Sequence, residues 1–330
     1  MKGALNRILF IRTDRLGETL LNLPAIAALH AARPEAAITL LVHPDVQPLL
    51  KEIPGIAEVW THAPGPRAWW WLRAWRLARR LRRAGFDLAI ISNPMKELHL
   101  AVWLAGIPAR VGYARKWGRL LTHRVPDGKA LGQRHEVEYN LELLRAVGMP
   151  TAVPAWWLPR RPADEEAVAR VLAQRGIAAA DSVLVIHPWS SNPVKEWPLD
   201  RYHQVVRQLA SQGARRMVVI GGPEERLRAR AVAGWPVVDF VGQLTLPQLA
   251  ALLRRATLML SNDSGPVHVA AAVGTPTVTL FGTVEAATGP QRWGPWGQGH
   301  AVIWKPSMEA IGVEEVVRAV QEQWDADAGR

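Results

Sequence analysis

The 330-residue sequence contains no cysteine. Disulfide staples and thiolate metal sites are therefore excluded, although this absence alone does not fix the cellular compartment. Long hydrophobic runs are missing as well: no apolar stretch in the chain approaches the roughly 20 residues needed to cross a bilayer as a helix. The opening MKGALNRILFIRTDR holds an apolar run too short for a secretory signal, and Arg12 interrupts it. A cytoplasmic protein is the expectation. There is no P-loop and no G-x-G-x-x-G turn, which disfavours a hydride-transferring dinucleotide enzyme. Short-period repeats and long low-complexity tracts are also absent.

What remains is the composition of a globular chain, 49% hydrophobic and 21% charged. Its length exceeds one typical core, so two domains are expected. The net charge of +11 is unevenly placed: residues 1–159 hold 22 of the 40 Lys and Arg but 12 of the 29 Asp and Glu, against 18 and 17 in residues 160–330. Solvated arginine-rich faces account for part of this. The asymmetry also points to an anionic partner of the first half: nucleic acid, anionic lipid or a phosphorylated glycan.

Apolar runs alternate with helical ones, the pattern of parallel α/β sheets covered on both faces. Strands are expected at 7–12, 38–43, 57–62, 87–92 and 110–114, then at 182–188, 215–222, 236–242, 256–263, 275–282 and 301–305. HEVEYNLELLRAVG (135–148) reads as a helix closed by Gly148. MPTAVPAWWLPRRP (149–162), with four prolines and no period, reads as a linker. Two successive domains, 1–155 and 156–330, follow, with ligands expected outside the C-terminal strand ends in a central cleft.

Residues 66–83, PRAWWWLRAWRLARRLRR, read as a helix. At helical spacing Trp70, Ala74, Leu77 and Leu81 share one face, with Trp71, Trp75 and Ala78 beside them, while Arg73, Arg76, Arg79, Arg80 and Arg83 share the other. Trp69 and Leu72 stand among the arginines. An amphipathic helix laid on a sheet explains the inner face. The stray aromatics add a second reading, a basic surface that meets a membrane or an anionic glycolipid.

Four strand ends carry chemistry. After the first strand, RTDRLGETLLNLP sets Arg12, Asp14, Arg15 and Glu18 around Gly17, with Asp14 and Glu18 as rival acids. HPWSSNPVKEWP (187–198) places Ser190, Ser191 and Lys195 in a polar loop that suits a pyrophosphate. Lys195 is one of two lysines in the second half, the other being Lys305. VVIGGPEER (218–226) ends in Gly221 and Gly222, after which Glu224 or Glu225 can accept from ribose hydroxyls. SNDSGPVHVAAAVG (261–274) opens a helix with Asp263, Ser264, Gly265, Pro266 and His268, a helix N-terminus built for a phosphate or sugar.

In order along the chain, LFIRTDRLGETLLNLPAI, HEVEYNLELLRAVG, HPWSSNPVKEWPLDRY, VVIGGPEE, LSNDSGPVHVAAAVGTPTVTLFG and FGTVEAATGPQRWGPWG resemble glycosyltransferase family 9, the ADP-heptose:lipopolysaccharide heptosyltransferases. The resemblance implies a GT-B fold of two Rossmann-like lobes, acceptor in the first and nucleotide sugar in the second. It implies an inverting transfer with no metal and no cofactor beyond the donor, and the lack of a DxD outside Asp325-Ala326-Asp327 in the polar tail fits this. It assigns the catalytic carboxylate to Glu18 and the phosphate loop to Ser190, Ser191 and Lys195. Asp263, Ser264, Gly265 and His268 take the donor-binding motif, and Glu224 or Glu225 the nucleoside contact. Arg12 and Arg15 are left to hold an anionic acceptor or keep Glu18 ionised, and Asp14 to join the acceptor site or serve as a salt-bridge or capping acid. The family it resembles usually has Asp where this chain has Glu18, which reaches one methylene further. Two rival functions keep part of the pattern: a nucleotide-sugar epimerase of the same fold, and a basic nucleic-acid-binding protein without enzymatic activity.

Overall fold

The computed structural model describes residues 5–155, 158–213 and 216–328. Trp156 and Trp157 of the expected linker, with the expected boundary at 155/156, lie outside the described residues, as does Arg215 at the head of the expected strand 215–222. The chain divides into two compact units, Met1–Pro159 and Arg160–Arg330.

The first unit is built on a parallel sheet of six strands: β1 (Arg7–Arg12), β2 (Ala37–Val42), β3 (Ile56–Thr61), β4 (Leu88–Ile91), β5 (Ala109–Tyr113) and β6 (His123–Val125). Their order is β3-β2-β1-β4-β5-β6. The central strands are Ile- and Leu-rich and buried on both faces, as helices covering each side require. The helix Trp70–Ala84 seals one face through Ala74, Leu77, Ala78 and Leu81, which pack with Leu9, Ile11 and Ile91. It ends where Gly85 turns left-handed and donates its N–H to the Leu81 carbonyl. The helix Glu136–Arg145 begins with a capping box in which the His135 ring accepts from Val137 N–H and Glu138 accepts from His135 N–H.

The second unit repeats the plan: β7 (Val183–His187), β8 (Arg216–Val219), β9 (Val238–Asp239), β10 (Leu258–Asn262), β11 (Thr277–Gly282) and β12 (His300–Lys305), all parallel, in the order β12-β11-β10-β7-β8-β9. Its core is separate from that of the first unit and holds the fully buried Trp189, Trp197 and Tyr202.

Both sheets therefore have the order 3-2-1-4-5-6 of doubly wound nucleotide-binding folds. In each, the chain reverses direction across the sheet at one point, between β1 and β4 and between β7 and β10. The helices that follow these two neighbours lie on opposite faces, which leaves a crevice at the strand ends.

Candidate functional site

In the second unit the crevice is organised by Asn262, the last residue of β10. Its side chain is fully buried. The amide donates to the Pro188 carbonyl at 2.8 Å, and its oxygen accepts from Trp197 N–H at 3.1 Å and from the Tyr202 hydroxyl at 3.0 Å. One side chain thus fastens the loop after β7 to the end of β10. Trp189 and Trp197 anchor the two ends of that loop in the core, so the polar residues between them are presented at the strand ends. Nothing in the sequence singled out Asn262; its signal is an amide at the close of an otherwise apolar strand.

Within this frame the sequence-expected residues converge. The Lys195 ammonium pairs with the Asp263 carboxylate. Ser190 is buried, and its hydroxyl donates to the Asp263 carbonyl at 3.4 Å. Ser264 precedes the helix Gly265–Val273, yet its own side chain makes no cap hydrogen bond. The Ser264 hydroxyl lies instead 3.0 Å from His187 Nδ1 and 3.0 Å from the Ser261 hydroxyl. Burial pushes the His187 imidazole down to about 4 against the opposing pull of Glu196, so the ring is neutral at pH 7. His268 is buried in the second turn of the same helix, and Ser191 is exposed on the loop.

Glu196 is a further residue the sequence reading missed. It accepts from the Ser190 N–H at 3.0 Å and takes a two-pronged ion pair from Arg228 at 2.8 and 2.6 Å. Burial opposes its charge, but Arg228 and the Ser190 N–H hold its carboxyl below the usual range. Arg228 belongs to the 3₁₀ segment Pro223–Val232 that also carries Glu224 and Glu225, so this pair docks those acids beside the 190–196 loop. Gly221 does not act as a turn glycine: a Cβ there would come within 2.8 Å of the Trp189 ring. Its lack of a side chain lets Trp189 pack against the end of the β8 strand.

In the first unit the end of β1 is arranged differently from expectation. Arg12 is 6% exposed. Its Nε donates to Asp14 at 2.6 Å, and its Nη1 donates to Glu136 at 3.2 Å and to the Ser92 carbonyl at 3.4 Å. Lys129 Nζ reaches the same fully buried Glu136 at 2.6 Å. Arg12 is thus enclosed by acids: Asp14 is its salt-bridge partner, and an ion network through Glu136 ties β1 to the helix Glu136–Arg145. Arg15 is exposed.

Glu18 lies in the short helix Leu16–Leu20, half-buried. Gly17 is helical and buried rather than a loop turn, and Pro24 opens the next helix, Leu23–Ala32. Burial, and then the Asp14 charge, raise the Glu18 carboxyl above the usual range, against Arg12 and Arg15. A carboxylate shifted towards neutrality is a stronger base than a free one.

The same strand edge carries a cavity of about 590 Å³ that the sequence did not announce. Thr13 after β1, His62 after β3, Met95 and Lys96 after β4 and Lys116 after β5 line it, with Trp70 and Arg67 at its side. Glu97 sits in its wall, accepting from Arg73 at 3.0 and 2.5 Å and 2.7 Å from His62 Nε2. Burial opposes the Glu97 charge, but His62 and Arg73 hold it ionised. Lys96 and Lys116 have no ion-pair partner among the described residues. Lys116 is pushed down by partial burial and by its cationic neighbours Arg115 and Lys96, the signature of positive charge without a counterion.

The family model described as glycosyltransferase family 9 (heptosyltransferase) matches residues 74–319. A lipopolysaccharide heptosyltransferase 3 of Escherichia coli is 28% identical over 303 residues, covering 87% of this chain and 86% of that protein. Among solved structures, a family 9 glycosyltransferase from Veillonella parvula aligns with a TM-score of 0.88 at 21% identity, over 98% of both chains. The E. coli ADP-heptose heptosyltransferase II aligns at 0.80 with 22% identity, over 98% of this chain and 99% of that one. The fold common to these structures is GT-B.

Proposed function

The chain belongs to glycosyltransferase family 9, and from that membership we propose that it moves a heptose from ADP-heptose to an anionic lipopolysaccharide-core acceptor, with inversion and without a metal. The observation that carries the donor half is the cluster at the end of β7 and β10. Lys195, Ser190 and the N-terminus of the helix Gly265–Val273, which the Ser264 side chain does not cap, gather donors and positive charge around one spot. A departing diphosphate needs that charge, and a helix N-terminus supplies it without a cation. Lys195, released from Asp263, neutralises the leaving group; Glu224 or Glu225 accepts from the ribose.

The first unit supplies the other half. Glu18 takes the proton from the acceptor hydroxyl as that oxygen attacks the anomeric carbon and the bond to the diphosphate breaks. Lys96, Lys116 and Arg67 hold the anionic groups of the acceptor, and Trp70 offers a ring face to a sugar. We propose that the reaction takes place on the cytoplasmic side of the membrane, where a nucleotide sugar is available.

A thermal-shift panel of nucleotides and nucleotide sugars tests the donor. ADP and ADP-sugars should stabilise the protein selectively; equal stabilisation by UDP or GDP would sink the ADP assignment. An epimerase shares the donor chemistry but has no use for a cationic acceptor cavity. New nucleotide-sugar product in the absence of acceptor would favour it over transfer.

A further inference from the structure

We propose that the Trp-bearing flank of the helix Trp70–Ala84 docks the first unit onto an anionic lipid bilayer. The inner face of this helix is fully accounted for by Ala74, Leu77, Ala78 and Leu81 in the core. Packing does not account for the aromatics beside it: Trp69, Trp71 and Trp75 are 59%, 51% and 46% exposed. Trp69 and Trp71 lie against each other with ring centres 6.5 Å apart, and the Arg79 guanidinium sits 4.8 Å over the Trp75 ring. Arg82 donates to the Leu104 carbonyl, which sets the helix Lys96–Leu104 along this same side. Trp103 of that helix is 47% exposed. Four large rings thus face solvent on two adjoining helices and the 3₁₀ turn Arg67–Trp69 that leads into the first of them.

Charge selects the partner. No Asp or Glu occurs between Glu58 and Asp87, while Arg67, Arg76, Arg79, Arg80, Arg82 and Arg83 are all exposed there. A second copy of this chain would set arginines against arginines. A nucleic acid would satisfy the arginines and leave the tryptophans in water. A bilayer with anionic headgroups takes both: indole rings settle at the level of the headgroups, and guanidinium groups meet lipid phosphates. Among the described residues no helix is long and apolar enough to cross a membrane, so the contact lies on the surface. It stands whatever sugar is transferred.

Sedimentation of the full chain with vesicles tests this. The protein should pellet with an equimolar mixture of phosphatidylcholine and phosphatidylglycerol, far less with phosphatidylcholine alone, and progressively less as salt rises. The W69A/W71A/W75A variant should lower the bound fraction roughly tenfold at an unchanged melting temperature. The exposed-charge variant R79Q/R83Q checks the result should the triple variant melt early, and it should weaken binding while flattening the salt dependence. Absence of binding by the wild type, or undiminished binding by both variants, would overturn the proposal. So would dimerisation that the Trp variant abolishes without any vesicle binding, or capture by DNA that vesicles fail to displace.

Discussion

Ser264 stands at the head of the helix Gly265–Val273, yet its hydroxyl lies 3.0 Å from His187 Nδ1 and caps nothing. A serine in that place ordinarily accepts from the first free N–H groups of its helix. Here the neutral His187 holds it aside, and on the proposed reading the helix N-terminus meets the donor diphosphate. His187→Ala should therefore weaken donor binding, because Ser264 regains the freedom to cap its own helix. Titration calorimetry with ADP should show a loss of about 3–10-fold, the scale of one hydrogen bond. Unchanged affinity would remove His187 from the donor site.

Lys195→Ala deletes the side-chain ammonium that pairs with Asp263. Hydrogen bonds to charged groups contribute about 1.5–3 kcal/mol, so the donor KM should rise roughly 10-fold or more, with kcat falling as the leaving group loses its cation. Steady-state kinetics with the acceptor saturating separates the two effects. Wild-type constants in both would place Lys195 outside the site.

Glu18→Gln should fold normally and lose transfer by about 10²–10⁴-fold, the usual range for a general base. The base works only when deprotonated, so kcat/KM should fall as pH drops through a limb set above the ordinary carboxylate range. Asp14 is a cause of that elevation. Asp14→Asn removes a like charge, so the limb should move to lower pH. A limb that stays in place in Asp14→Asn means that another group titrates.

Lys96→Ala and Lys116→Ala should raise the acceptor KM while leaving the donor KM unchanged, since both residues line the cavity of the first unit. The double variant should also flatten the salt dependence of acceptor binding. A change in donor KM of equal size would contradict the division of substrates between the units.

Glu136→Gln leaves Arg12 and Lys129 as buried cations that have lost the charge they share. Breaking such a network costs about 3–5 kcal/mol, measurable as a lower urea midpoint for the first unit. A loss below about 1 kcal/mol would show that Asp14 and water suffice.

Much of this was legible in the sequence because it is local. The buried strands announce themselves by continuous Ile, Leu and Val, and Ser190, Lys195, Asp263 and Ser264 each sit in a short polar stretch directly after one. β6 escaped because it has only three residues, His123–Val125. The expected strand 236–242 shrinks to Val238–Asp239, since β9 is an edge strand paired on one side alone. The enclosure of Arg12 was hidden for a different cause. Its partner Glu136 lies 124 residues away, and charge next to a catalytic acid looks the same in sequence whether it is enclosed or open. The cavity of Lys96, Lys116 and Glu97 could not be seen at all, because its walls come from four strand ends that only the sheet order brings together.

The repeated sheet order has a practical corollary. The Ser264–His187 contact lies inside the second half of the chain, and the cavity of about 590 Å³ is lined by residues of the first. On the proposed division of substrates, exchanging first halves between relatives should change the acceptor that is modified while the sugar delivered stays the same.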